Sequence, residues 1–132
     1  MNFEVLEASY AIYRFVTGSE LPEWVYSSGF YSITKTKDEI SVVTVQNDLI
    51  SSDIVCNKDW RIIQIEGPLD FSLVGIIADI SAIFKSKKIS IFTLSTYNTD
   101  YFLIKQKDLD IGIQSLIEND HKVTIEKKKA SE

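Results

Sequence analysis

Trp60-Arg61-Ile62-Ile63-Gln64-Ile65-Glu66-Gly67-Pro68, followed by Ser72-Leu73-Val74-Gly75-Ile76-Ile77-Ala78-Asp79-Ile80-Ser81-Ala82-Ile83-Phe84, is the stretch that decides the fold. The first block is an Ile-rich strand candidate over 60–66, closed by Gly67 and Pro68, which punctuate a turn. In the second, Leu73, Ile76, Ile77, Ile80, Ile83 and Phe84 recur at intervals of three and four, which predicts a helix with one apolar face. Strands follow over 89–94 and 101–105, separated by the polar run Ser95-Thr96-Tyr97-Asn98-Thr99-Asp100. Asp108 is placed to cap a second helix carrying Leu109, Ile113, Leu116 and Ile117, and a last strand covers 123–126. Strand, helix, strand, strand, helix, strand is the split βαβ or ferredoxin-like unit, an α+β fold with an antiparallel sheet and both helices on one face.

Upstream, the plan recurs less completely. A strand over 10–16, a short helix marked by Leu21, Trp24 and Val25, and a hairpin of 30–36 with 40–45 around Lys37, Asp38 and Glu39 form an incomplete first βαββαβ unit. Asp48-Leu49 after this hairpin and Asp108-Leu109 after the second suggest a weak internal duplication. Residues 51–59 are then expected to hold a degenerate second helix and the connection. The expected organisation is 1–59, a degenerate first unit; 60–126, a complete second unit; and 127–132, a polar tail.

The 132 residues, 45% hydrophobic and 25% charged, suit one conventional domain or two small modules and argue against disorder. One Cys excludes a disulfide scaffold and a Cys-rich zinc module. The apolar run ended by Asp79 is far shorter than the ~20 residues that cross a bilayer, and the opening Met1-Asn2-Phe3-Glu4 has no secretory character. A cytoplasmic protein without membrane contact is expected. The net charge of −5 is unevenly spread: residues 1–59 hold nine carboxylates against four basic residues, and the remainder ten against ten. Lys85, Lys87 and Lys88 read as the last turn of a helix, where cations offset the macrodipole. Lys127, Lys128 and Lys129 belong to the tail. Without a basic face, nucleic acid is not an expected partner.

Catalytic constellations fare badly. The one His, His121, sits beside Asn119 and Asp120 at a helix end and reads as a loop residue; Cys56 lacks a sequence-local His and reads as a structural thiol. No phosphate loop, metal-ligand spacing or nucleophile elbow is present, so no enzyme activity, cofactor or metal is expected. Two segments suit binding instead. The run 95–100 presents six hydrogen-bonding residues at a sheet end, which suits either a ligand or a plain polar hairpin. The stretch from Glu66 to Phe71 leads toward a helix N-terminus, whose N–H groups suit a carboxylate. Gly75, inside the apolar helix pattern, is about 1 kcal/mol worse than Ala there, which suggests a close approach to the backbone.

Together these stretches resemble the ACT domain family, in particular small tandem-ACT proteins of the CASTOR-type arginine sensors and the regulatory tails of aspartate kinases. The matching blocks are Ile33-Thr-Lys-Thr36, Asp38-Glu-Ile-Ser-Val-Val43, Trp60-Arg61, Gly67-Pro-Leu-Asp-Phe71, Gly75-Ile-Ile-Ala78, Ile89-Ser-Ile91 and Ser95-Thr-Tyr-Asn-Thr-Asp-Tyr101. The resemblance implies a non-catalytic regulatory module that binds a free amino acid between ACT faces. By motif it implies ligand contacts from Ser90 and Ile91 on a strand, from Asp70, Phe71, Gly75 and Ile76 in the loop and helix start, and from Asp100 to an amine or basic side chain. Asp70 departs from the arginine sensor, which has Gly there; the added carboxylate is expected to reject an acidic ligand or fill part of the pocket. A homodimer with facing second units and a regulated protein partner are the expected assemblies, and a constitutive scaffold without ligand is the alternative.

Overall fold

The computed structural model describes residues 1–50, 53–67 and 74–126, and the chain divides into two compact units, one of Ala8–Trp60 and one of Met1–Glu7 with Arg61–Glu132. The division falls after Trp60, next to the expected boundary. The first seven residues, however, group with the back of the chain.

In the back unit the elements run β1 (Asn2–Val5), the later part of β5 (Val55–Ile65), α1 (Ile76–Ser86), β6 (Phe92–Ser95), β7 (Asp100–Lys105), α2 (Leu109–Glu118) and β8 (Lys122–Ile125). From β5 onward this is the expected βαββαβ order. The sheet order is β6-β7-β5-β1-β8. Sequence reading did not foresee β1, which lies between β5 and β8, antiparallel to the former through Phe3↔Ile65 and parallel to the latter through Phe3↔Val123. Four residues alternating polar and apolar are too short to signal a strand on their own. Paired on both sides, they bury Phe3 and Val5. Ile63 and Ile65 of β5, Phe102 and Ile104 of β7, and Phe3 and Val5 share one face, and Ile80 and Phe84 of α1 with Leu109 and Leu116 of α2 cover it. Both helices therefore pack on the same side.

The helix boundaries differ from expectation for local reasons. α1 begins at Ile76, because Gly75 precedes it in a left-handed conformation, φ 77°. A Cβ on Gly75 would meet nothing within 4 Å, so this glycine answers to backbone conformation, not to a close approach. Ile77, expected on the core face, is 39% exposed, and Ile117 of α2 is 47% exposed; Ile80, Phe84 and Leu116 take the centre instead. Asp108 precedes α2 but makes no side-chain cap bond, since a 3-10 turn over Gln106–Asp108 already leads into the helix. The strand expected over 89–94 is paired only as β6, with residues 89–91 leading into it.

In the front unit β2 (Tyr10–Phe15), a 3-10 turn (Glu23–Tyr26), β3 (Ser32–Lys35), β4 (Ile40–Val45) and the first part of β5 follow one another, in the sheet order β3-β4-β2-β5, all antiparallel. Ala11, Tyr13, Phe15, Ile40 and Val42 form one core face, on which Val25 and Trp24 of the 3-10 turn pack. The buried Thr44 hydroxyl fastens that turn, donating to the Val25 carbonyl at 3.0 Å. The helix expected within 51–59 is corrected: residues 55–60 belong to β5, and Arg14↔Val55, Tyr13↔Cys56 and Ile12↔Asn57 pair them with β2. The open edge of β2 offers these residues ladder hydrogen bonds that a short isolated helix would not supply. The two Asp-Leu pairs play different parts, because Leu49 is 96% exposed whereas Leu109 is 7% exposed.

Two stability predictions follow from the back unit. A methyl group on Gly112 of α2 would lie 2.6 Å from Ile104 Cδ1, and Ile104 is fully buried. Overpacking of about 2 kcal/mol outweighs the ~1 kcal/mol helix gain, so Gly112→Ala should lower Tm by about 3 °C in a calorimetric scan. His121 accepts a 2.9 Å hydrogen bond from the Met1 ammonium and meets the Phe3 ring edge-on. Burial, and then the neighbouring ammonium, hold its pKa below the ordinary 6.5. The unfolded chain therefore binds the proton more readily, so this contribution is complete above pH 6.5 and is lost as pH falls below it. His121→Asn should flatten the stability profile on that acid limb, measured by denaturant titration at a series of pH values.

Candidate functional site

An open groove of about 720 Å³ lies in the back unit between α1 and the segment that follows it. Ala78, Ser81, Ala82 and Lys85 form its helical wall; Lys88, Ile89, Ser90 and Ile91 form the other. The helical four are spaced i, i+3, i+4 and i+7, so they share the face turned away from Ile80 and Phe84. Two small side chains on the helix leave room, two hydroxyls supply hydrogen bonds, and two ammonium groups supply charge. Ser90 and Ile91, expected as ligand contacts from a strand, line this groove; the helical wall was not foreseen, although its spacing was open to the same periodicity test.

The turn joining the walls is built by backbone. Ile89 N–H donates to the Phe84 carbonyl at 3.0 Å and Lys88 N–H to the Lys85 carbonyl at 2.9 Å, a Schellman closure with Lys88 in the left-handed region at φ 59°. The Phe84 and Lys85 carbonyls thus have main-chain donors. Lys87 reaches Glu118 at 3.7 Å, whereas Lys85 and Lys88 form no ion pair among the described residues.

The other expected site residues are distributed as follows. Gly75 and Ile76 stand at the opposite end of α1 from Lys85, Gly75 exposed and Ile76 packed against the core. Asp70 and Phe71 lie outside the described residues. Asp100 begins β7 opposite Ser95, the last residue of β6, whereas Ser90 and Ile91 precede the first residue of that strand. About 16 Å of extended chain separates residues 90 and 95, so Asp100 and the groove occupy different ends of the hairpin. Its carboxylate accepts a 2.6 Å hydrogen bond from the Ser95 hydroxyl. The run 95–100 is in part a structural turn: the Thr96 amide donates to the Thr99 carbonyl at 2.9 Å, and the buried Thr99 hydroxyl donates to the Ile65 carbonyl at 2.7 Å, tying the hairpin tip to β5. No group of three or more metal-ligating side chains occurs among the described residues.

The family model of the ACT domain matches residues 55–118. This segment is similar to ACT domains. The match opens on the first residue of β5 and closes on the last of α2, so it leaves out β1 and β8, the strand pair that completes the sheet. A second family model, of an N-terminal domain, matches residues 8–53. No curated protein matches the chain. Among solved structures, a protein from Agobacterium tumefaciens is similar at 29% identity and a TM-score of 0.87, over 99% of this chain and 97% of that one. The aspartate kinase of Clostridium acetobutylicum aligns at 10% identity and a TM-score of 0.63, over 85% of this chain and 33% of the kinase. A proposed C-terminal regulatory domain of aspartate kinase from Porphyromonas gingivalis aligns at 17% identity and a TM-score of 0.56, over 88% of this chain and 94% of that one. At such identities the last two establish likeness of fold. The ferredoxin-like reading of the sequence is borne out.

The Thr99 bond is the point on which the hairpin tip depends. Thr99→Val keeps the shape and removes the donor to a buried carbonyl, and should destabilise the protein by about 1–2 kcal/mol. Amide exchange at Thr96 should accelerate relative to exchange in α2.

Proposed function

We propose that this protein is a non-catalytic regulatory module that binds a free amino acid through its ACT domain. The observation that carries the reading is the groove in which Ser90 and Ile91, the positions matched to ligand-contacting strand residues, stand against the exposed face of α1. The groove offers what a small polar ligand needs: an apolar floor, two hydroxyls and two cations without ion-pair partners among the described residues. The likeness in fold to aspartate kinase and to a proposed regulatory domain of that enzyme supports the same role. The finer kinship with CASTOR-type sensors, a homodimer with facing back units, a regulated protein partner and a cytoplasmic location are parts of this proposal. Among the described residues no helix is long and apolar enough to cross a membrane. Any regulatory signal has to come from a difference in ligand affinity between two states of the protein or its assembly.

A thermal-shift screen against the common amino acids tests the reading. A ligand at a hundred times its dissociation constant should add about 2.7 kcal/mol of stability. Ser90→Ala, in the groove, should reduce the shift, whereas Asp100→Ala, at the other end of the hairpin, and His121→Asn should preserve it. A flat response to every amino acid would favour the ligand-free scaffold.

A further inference from the structure

We infer that the groove between α1 and residues 88–91 selects an acidic ligand, a dicarboxylic amino acid, with Lys85 and Lys88 as its charge-reading residues. The inference rests on the amino-acid-binding reading and adds the ligand's class. A neutral zwitterion carries one carboxylate and one ammonium. A lining with two ammonium groups and no carboxylate matches a ligand with net negative charge.

Both lysines have an ordinary explanation as counter-charges for the helix C-terminus, and the geometry speaks against it as a sufficient one. The Schellman closure satisfies the Phe84 and Lys85 carbonyls with the amides of Ile89 and Lys88. Lys87, which does not line the groove, takes the ion pair with Glu118; Lys85 and Lys88, which do line it, form none among the described residues. Lys88 also holds the left-handed position at φ 59° that closes the motif, where glycine is the unstrained residue. The chain keeps a long cation at a site where it destabilises the backbone, and that cation lines the cavity. Asp120 closes α2 in the same left-handed conformation, φ 65°, so what distinguishes Lys88 is its place in the groove lining.

The groove also shows which ends of the ligand it can read. Ala78 and Ala82 leave space for an apolar stem, and Ser81 and Ser90 can donate to carboxylate oxygens beside the ammonium groups. The acidic Asp100 stands at the other end of the hairpin, engaged by Ser95, and does not repel an anion here.

The test compares isosteric probes on the full chain by calorimetry at low salt: L-aspartate against L-asparagine, and L-glutamate against L-glutamine. The acids should bind about tenfold more tightly, two exposed ion pairs each contributing several-fold, and the preference should shrink at high salt. Lys85→Gln should reduce the preference. Lys88→Gly should raise the Tm of the free protein by about 3 °C while weakening aspartate binding about fivefold, an opposition that a purely structural lysine would not produce. Asparagine or other neutral amino acids binding as well as the acids, or unchanged affinity in the lysine variants, overturns the inference and leaves amino-acid binding standing. Aspartate binding that appears only in Asp70→Gly also overturns it, because acid exclusion by Asp70 then dominates. Absence of binding by any amino acid overturns both readings.

Discussion

Burial of Ile63 and Ile65 beneath the two helices is the contact on which the back unit depends. Both side chains are fully inaccessible, and they lie in a strand paired with β1 on one side and β7 on the other. Removing an Ile side chain from water is worth about 2–3 kcal/mol, and here two neighbouring positions on one face collect Ile80, Phe84, Leu109 and Leu116 from both helices. Once this face is covered, the direction of α1 is set. Its opposite face, bearing Ala78, Ser81, Ala82 and Lys85, then turns outward and becomes a groove wall.

The hairpin tip depends on the same strand. Thr99 reaches the Ile65 carbonyl, so the residue that anchors the core face also anchors the polar loop. Donor-rich sequence at a sheet end thus serves two purposes: Thr96 and Thr99 shape the turn, while Ser95 and Asp100 pair with each other across the strand ends. Polar composition alone left both uses open because turn-forming and ligand-binding residues are the same residue types. The open groove lies toward the other end of β6, where Lys85 and Lys88 have no ion-pair partners among the described residues.

Much of the architecture was legible residue by residue. The hairpin strand of residues 40–45 is the observed β4, and the apolar period centred on Ile80 and Phe84 located α1. The expected helix within 51–59 failed because Val55, Cys56 and Asn57 carry no strong local preference, and the vacant edge of β2 decided their conformation. β1 escaped notice for a related reason, since its four residues acquire meaning only between β5 and β8. Ser90 and Ile91, expected from a motif to contact a ligand, line the groove. Lys88 was read as a helix-end charge, and only the tertiary structure places it in the lining of the groove.

Periodicity, turn residues and the order of elements determined an α+β chain with a ferredoxin-like back unit, because those signals are local and survive without neighbours. Tertiary structure alone decided that residues 1–7 complete the back unit and that residues 55–60 extend as a strand. Each of these is settled by hydrogen-bonding edges and apolar faces contributed by residues far away in sequence, and an unpaired strand edge or an uncovered face takes whichever partner the whole fold brings to it.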